Sequence, residues 1–172
     1  MVSADDAVIV ALGSNLKGPY GSCEALLEAA LARLEADGLK VVARSSWWKS
    51  AAWPDAGGPD YRNGVAVVET GLSPHELLAA LRHIERAFGR ERGERNAART
   101  LDLDLIAYGR DVAAGEALTI PHPRAHQRRF VMGPLAEVLP GWRHPLSGET
   151  AESLAQSACV GRDAAPIALH NE

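Results

Sequence analysis

The chain has 172 residues, 47% of them hydrophobic and 23% charged, a composition that fits one folded domain and excludes a disordered chain. A formal charge of −4 argues against a general nucleic-acid binder, and no apolar run approaches the length of a membrane span. Cys23 and Cys159 stand far apart in no metal-ligand spacing and the N-terminus has no basic leader, so a cytoplasmic domain without disulfides or zinc is expected.

Ala7 to Leu12 is a short apolar, β-branched run that predicts a buried strand, ended by a turn at Gly13-Ser14-Asn15. Ser22 to Asp37 carries Leu26, Leu27, Ala30, Leu31 and Leu34 at helical spacing, with Gly38 as its stop. Leu39 to Lys49 predicts a second strand and Arg62 to Thr70 a third. Between them the Gly-, Pro- and Ala-rich stretch from Ser50 to Tyr61 is a loop long enough to suggest function. Ser73-Pro74-His75-Glu76 is a capping box with proline at the first helical position. It opens a helix whose buried stripe is Leu77, Leu78, Leu81, Ile84 and Phe88, ended by Gly89. A polar loop from Arg90 to Arg99 leads into a fourth strand ending at Tyr108. A helix over Arg129 to Leu139, interrupted near Pro134, and a short one over Thr150 to Ala158 follow, and residues 159–172 read as a flexible tail after a core of about 7–158. The order βαββαβ with a helical extension predicts an α+β, ferredoxin-like fold, an antiparallel four-stranded sheet with helices on one face.

The fourth strand carries the densest chemistry. In Arg99-Thr100-Leu101-Asp102-Leu103-Asp104-Leu105 the leucines share one face and Asp102 and Asp104 the other, roughly 6.5–7 Å apart at Cα. Like charges so placed repel unless a cation lies between them. An oxygen-only pair suits Mg²⁺, which completes its shell with water and substrate phosphates. The plainer reading, a polar strand face in water, would favour Thr, Lys or Ser over paired carboxylates.

Upstream, six arginines stand against three glutamates between Arg82 and Arg99, a basic patch on an acidic protein. Arginine's planar fork binds phosphate in two-point fashion, so the patch suits a compact anion. Arg90, Arg92 and Arg99 lie in the loop beside the aspartates, where they could close over a triphosphate; a solvated helix face with i,i+4 pairs is the alternative. His122 and His126 have a spacing seen in metal sites, but Pro123 breaks any regular helix between them and a third soft ligand is missing. Phosphate contact is the better reading of that cluster. Tyr61, Asn63 and Phe130 suit a flat heteroaromatic ligand, the rings by stacking and the amide by pairing with its edge; each is also an ordinary core or loop residue. P-loop, Rossmann and nucleophile-elbow motifs are absent.

Four segments, Ala11-Leu12-Gly13-Ser14-Asn15-Leu16, Pro59-Asp60-Tyr61-Arg62-Asn63, Arg99 to Leu105, and Ile120-Pro121-His122-Pro123-Arg124 through Phe130 to Leu135, resemble the 6-hydroxymethyl-7,8-dihydropterin pyrophosphokinases of folate biosynthesis, in order and at near-family spacing. The resemblance implies transfer of the β,γ-diphosphoryl group of ATP to the pterin hydroxymethyl, with release of AMP. It implies that Asp102 and Asp104 hold two Mg²⁺ ions and that Arg90 and Arg99 are the catalytic-loop arginines. Glu85, Arg92, His122 and Arg128 would bind ATP, and Gly13, Ser50, Tyr61, Asn63 and Phe130 the pterin. A monomer acting on small molecules, without nucleic acid or membrane, is expected.

The chain departs from that pattern at Ser50-Ala51-Ala52-Trp53, where many members have Thr-Pro-Pro, and at Asn96 and Ala98, which replace a tryptophan and a proline of the arginine loop. A non-catalytic ligand-binding module of the same fold would leave the paired aspartates and arginines unexplained. An RNA-recognition domain would place aromatic residues where aspartates stand. A degenerate homologue is the remaining alternative, and retention of the aspartates and arginines argues against it.

Overall fold

A computed structural model describes residues 3–51, 59–89 and 100–167. In chain order the elements are β1 (Val8–Ser14), α1 (Cys23–Ala36), β2 (Lys40–Arg44), β3 (Trp48–Ser50), β4 (Tyr61–Glu69), α2 (Pro74–Ala87), β5 (Asp102–Tyr108), β6 (Ala113–Ala114), β7 (Thr119–Ile120), α3 (Arg129–Val138), α4 (Ala151–Ser157) and β8 (Ala165–Pro166). The main sheet runs β5-β1-β4-β3-β8, with β2 beside β3 on the same edge of β4, and its pairings are antiparallel. This is the predicted ferredoxin-like order with its second strand in two pieces.

The split has a cause in contacts between distant segments. At Ser45 the hydroxyl accepts the Val65 N–H at 3.0 Å while the Ser45 N–H donates to the Val65 carbonyl at 2.9 Å, so a side chain takes over part of the ladder. Glu137 of α3 then accepts from the Ser46 N–H and hydroxyl, both at 2.6 Å, and from Trp48 Nε1 at 3.1 Å. Trp47 and Trp48, adjacent in sequence, go to opposite faces as strand alternation requires. Trp48 is buried against Gly133 of α3, where a β-carbon would stand 2.5 Å from the indole.

Both faces of the sheet are covered, not one. On the first, Val8, Val10, Leu12, Leu103 and Leu105 pack with the leucine stripes of α1 and α2. On the second, Ile9, Ala11, Val65, Val67 and Ile106 pack with Val131, Met132 and Leu135 of α3, Trp142, and Leu154 of α4. The predicted extension is therefore the third layer of the domain. Ser22 and Ser73 cap their helices as the sequence indicates, the second with the full capping box, and Gly38 and Gly89 follow the helix ends at φ 88° and 89°.

Two expectations are corrected. The turn at Gly13-Ser14 is strand, because both residues pair with β4. Helix α3 runs through Pro134, which is buried within it. Residues 159–167, expected as a tail, are packed on the domain: Ala164 is buried and β8 pairs with β3. Among the described residues no helix is long and apolar enough to cross a membrane.

Candidate active site

Strand register assembles the site. Across three strands Asn63 stands opposite Gly13 and Gly13 opposite Asp102; one step on, Val65 stands opposite Ala11 and Ala11 opposite Asp104. The central strand thus presents only a hydrogen and a methyl group between the amide on one side and the carboxylates on the other. A β-bulge follows at once: Ile9 pairs with Ala107 and Val10 with Leu105, leaving Ile106 as the extra residue. The bulge turns Ile106 and Ala107 both into the second core and so ends the alternation just past Asp104.

Ala11, Gly13, Asn63, Asp102 and Asp104 line a cavity of about 140 Å³ together with Leu12, Ser50, Ala51, Tyr61, Arg128, Phe130 and Val131. Of the residues singled out from the sequence, Gly13, Ser50, Tyr61, Asn63, Asp102, Asp104, Arg128 and Phe130 are brought to this one place. Asn63 Nδ2 donates to the buried hydroxyl of Ser50 at 2.9 Å, which fixes the amide plane. Gly13 is small for a reason, because a β-carbon there would stand 3.0 Å from Asn63 Oδ1. Asn15, just past β1, reaches across to donate to the Pro59 carbonyl at 3.3 Å and ties down the approach to Tyr61.

Arg128 sits at the N-terminus of α3, following a 3₁₀ turn at Ala125–Gln127. Burial pulls its guanidinium below the ordinary arginine range; Asp104 and then Asp102 favour the charged form, with Arg124 opposing them between. An arginine remains cationic throughout, so a positive group faces both carboxylates. It lies over the Phe130 ring, 5.8 Å from its centroid.

Two predicted ligands are placed outside the cavity wall. His122 docks beside β5 through its N–H to the Ile106 carbonyl at 2.9 Å, and its Nδ1 accepts from the Arg124 N–H at 3.1 Å. Burial holds its pKa below the usual imidazole value against the pull of Asp104, and Arg128, Arg124 and His126 add to the lowering. It thus stands close to the carboxylate end of the site. Glu85 is buried under β5, and its Oε2 accepts from the Leu103 N–H at 2.8 Å. Arg90, Arg92 and Arg99, with Ala52, Trp53, Asn96 and Ala98, lie outside the described residues.

Sequence reading passed over Ala11, Ala51 and Val131 as lining residues. Ala11 was legible in principle, since its two-residue offset from Gly13 puts it on the same face. Ala51 and Val131 are apolar residues whose position only the assembled layers reveal.

The chain's similarities run to one group of proteins. Residues 9–140 match the family described as 7,8-dihydro-6-hydroxymethylpterin-pyrophosphokinase. The 2-amino-4-hydroxy-6-hydroxymethyldihydropteridine pyrophosphokinase of Synechocystis sp. is 46% identical over 143 residues, 83% of this chain and 71% of that protein. The enzyme of the same name from Haemophilus influenzae is 44% identical over 129 residues, 75% of this chain and 79% of its own length. Among solved structures, Plasmodium falciparum HPPK-DHPS with pterin and p-hydroxybenzoate superposes on 87% of this chain with a TM-score of 0.68 at 14% identity, and this chain spans 41% of it. At that identity the likeness is one of fold.

Proposed function

The chain belongs to the 7,8-dihydro-6-hydroxymethylpterin-pyrophosphokinase family, and from that premise we propose which of its residues serve each substrate. The reaction moves diphosphate from ATP, used with Mg²⁺, to the hydroxymethyl group of 6-hydroxymethyl-7,8-dihydropterin, a step in folate biosynthesis. The hydroxymethyl oxygen forms a bond to the β-phosphorus as the bond from that phosphorus to the α,β-bridging oxygen breaks. AMP leaves with the bridging oxygen, and the alcohol proton passes to solvent. Such a transfer depends chiefly on positioning and on neutralising phosphate charge.

The observation that carries the assignment is the three-strand row of Asn63, Gly13 and Asp102, with Arg128 and Phe130 facing it across one cavity. On the amide side, Asn63 pairs with the edge of the pterin and Gly13 leaves its plane free. Tyr61 and Phe130 offer faces for stacking, and Ser50 fixes the amide. On the carboxylate side, Asp102 and Asp104 are a pair of oxygen donors on one strand face, and no group of three or more His, Cys, Asp or Glu able to hold a metal occurs among the described residues. That donor set fits Mg²⁺, which takes one or two carboxylates and completes its shell from phosphates and water. The aspartates would hold two such ions, and when bound the ions draw charge from the transferring phosphates.

Arg128 lies within electrostatic reach of both carboxylates and so stands where diphosphate oxygens would meet them. His122, docked on β5 at the carboxylate end, contacts ATP. Glu85 acts on ATP through β5. Arg90 and Arg99 remain our candidates for the arginines that stabilise the transferring group, with Arg92 as an ATP contact. The chain works as a monomer in this reading.

AMP release from MgATP, measured with and without 6-hydroxymethyl-7,8-dihydropterin, tests it. Pterin-dependent AMP formation that disappears in Asp102→Ala/Asp104→Ala is expected. Absence of pterin-dependent AMP with folded wild-type protein would mean that the cavity serves another acceptor or is catalytically degenerate.

A further inference from the structure

Residues 158–167 lie beyond the part of the chain that matches the family, yet they build one side of the site. Val160 docks on the residues that lead into α3: its N–H donates to the Gln127 carbonyl and its carbonyl accepts from the Arg129 N–H, both at 2.9 Å. Gly161 follows with φ 69°, left-handed geometry that favours glycine, and lies against Phe130, whose ring would be 3.6 Å from a β-carbon at this position. The turn closes through the Ala164 N–H to the Gly161 carbonyl at 2.9 Å. Arg129 holds it from α3, donating to the carbonyls of Ala164 at 3.0 Å and Ala155 at 3.2 Å.

That turn presents Asp163 to the far side of the cavity. Its Oδ2 accepts the N–H of Ala51 at 2.8 Å, at the first residue past β3. Beyond it β8 adds to the edge of β3, with Ala165 opposite Lys49, and the Ile167 N–H donates to the Trp47 carbonyl at 3.1 Å. One strap of ten residues is thus bonded to both cavity walls, the Ser50–Ala51 end of β3 and the Arg128–Phe130 start of α3.

We infer that Asp163 is a positioning residue for the ring-binding half of the site. Strand β3 is only three residues long, and its last residue, Ser50, holds the Asn63 amide. A strand that short frays at its end unless the next donor is held. By holding the Ala51 amide, Asp163 keeps Ser50, and through it Asn63, at a set distance from Phe130. The carboxylates of the phosphate-binding half stand on β5, at the opposite edge of the sheet, and the backbone around Arg128 is held through Val160 and not through Asp163. The bond therefore bears on one substrate and not the other. The inference rests on reading the amide side of the cavity as the pterin pocket.

The test compares full-length wild type, Asp163→Ala and Asp163→Asn in steady-state AMP release with pterin and MgATP varied separately, alongside pterin binding at equilibrium. Asp163→Ala is expected to raise the pterin KM and dissociation constant about five- to tenfold, the range set by losing one charge-assisted hydrogen bond partly exposed to water. The ATP KM stays within about twofold, and Asp163→Asn, whose Oδ1 still accepts from Ala51, stays near wild type. An Asp163→Ala variant with unchanged pterin KM, or with both KM values raised equally, overturns the inference. Wild-type protein that neither binds pterin nor turns it over overturns the pocket assignment beneath it, and the two failures are told apart by that control.

Discussion

Glu85 of α2 accepts a hydrogen bond from the backbone N–H of Leu103 at 2.8 Å, and Leu103 is the residue between Asp102 and Asp104. Among the described residues strand β5 is an edge of the sheet, so this N–H meets no neighbouring strand there. A carboxylate only 2% exposed supplies the partner and anchors the strand between its two acidic side chains. The family resemblance implies an ATP contact for Glu85; its geometry is that of a group acting through the strand. Glu85→Ala should lower unfolding free energy by about 2 kcal/mol, since a buried donor loses its partner. Glu85→Gln keeps an acceptor and should lose less. Urea denaturation of the three proteins measures the difference, and equal midpoints would remove Glu85 as an anchor.

Asp102 and Asp104 set up the opposite balance between stability and activity. Their like charges share one strand face while Arg128 faces both, so the two effects offset and neutralising either should change metal-free stability by no more than about 1 kcal/mol. Activity should fall steeply. Asp102→Asn and Asp104→Asn are each expected to lower kcat by roughly 10²–10³, the scale of one lost preorganised electrostatic contact. Thermal melts in EDTA together with AMP-release rates in Mg²⁺ give both quantities. A variant that melts far below wild type in EDTA would show a structural role for the carboxylates.

Legibility from sequence followed the range of the interactions. Ser73, Glu76 and Gly89 act within one helix turn, and the helix they bound formed between the predicted signals. The alternation of Leu101, Asp102, Leu103 and Asp104 is likewise local, and it placed the carboxylates on the face opposite the leucine core. The break between β2 and β3 depends on the Ser45 hydroxyl meeting Val65 and on Glu137 meeting Ser46, contacts between segments far apart in the chain. Residues 159–167 gave no local signal, because a two-residue strand containing Pro166 becomes a strand only when β3 offers its edge. The cover on the second face was hidden for a related reason: α3 and α4 fit the sheet as a layer, while the sequence shows only their individual stripes.

Gly13 sets the clearance over which a planar ligand would lie. The β-carbon of Gly13→Ala would stand 3.0 Å from Asn63 Oδ1, and Asn63 cannot yield freely while it donates to Ser50 at 2.9 Å. The strand itself tolerates alanine, so stability should change by no more than about 1 kcal/mol. Displacement of the amide should raise the pterin KM by about tenfold, with the ATP KM little changed. Steady-state kinetics at fixed saturating MgATP measures this, and an unaltered pterin KM would show that the amide does not contact the ring.

His144 makes the fold sensitive to pH at a distance from the carboxylates. It is buried, edge-on to His126 at 5.3 Å and to Trp142 at 5.9 Å between ring centroids, and its Nδ1 accepts from the N–H groups of Leu146 at 3.2 Å and Ser147 at 3.3 Å. Burial lowers its pKa below the free-imidazole value of 6.5; His126 lowers it further, Glu149 opposes, and Arg110 adds a small push down. The unfolded chain therefore takes up the proton first as pH falls. Above about pH 6.5 both states are neutral and the group contributes no pH dependence. Below it the unfolded state gains, and stability falls until pH drops beneath the folded pKa, where the loss levels off. Protonation also removes the Nδ1 lone pair that both backbone donors use. In His144→Asn the side-chain oxygen occupies the acceptor position without titrating. Urea midpoints from pH 8 to pH 5 should decline less steeply for His144→Asn than for wild type, with the two curves converging toward pH 8. Parallel curves across the whole range would remove His144 as the source of the slope.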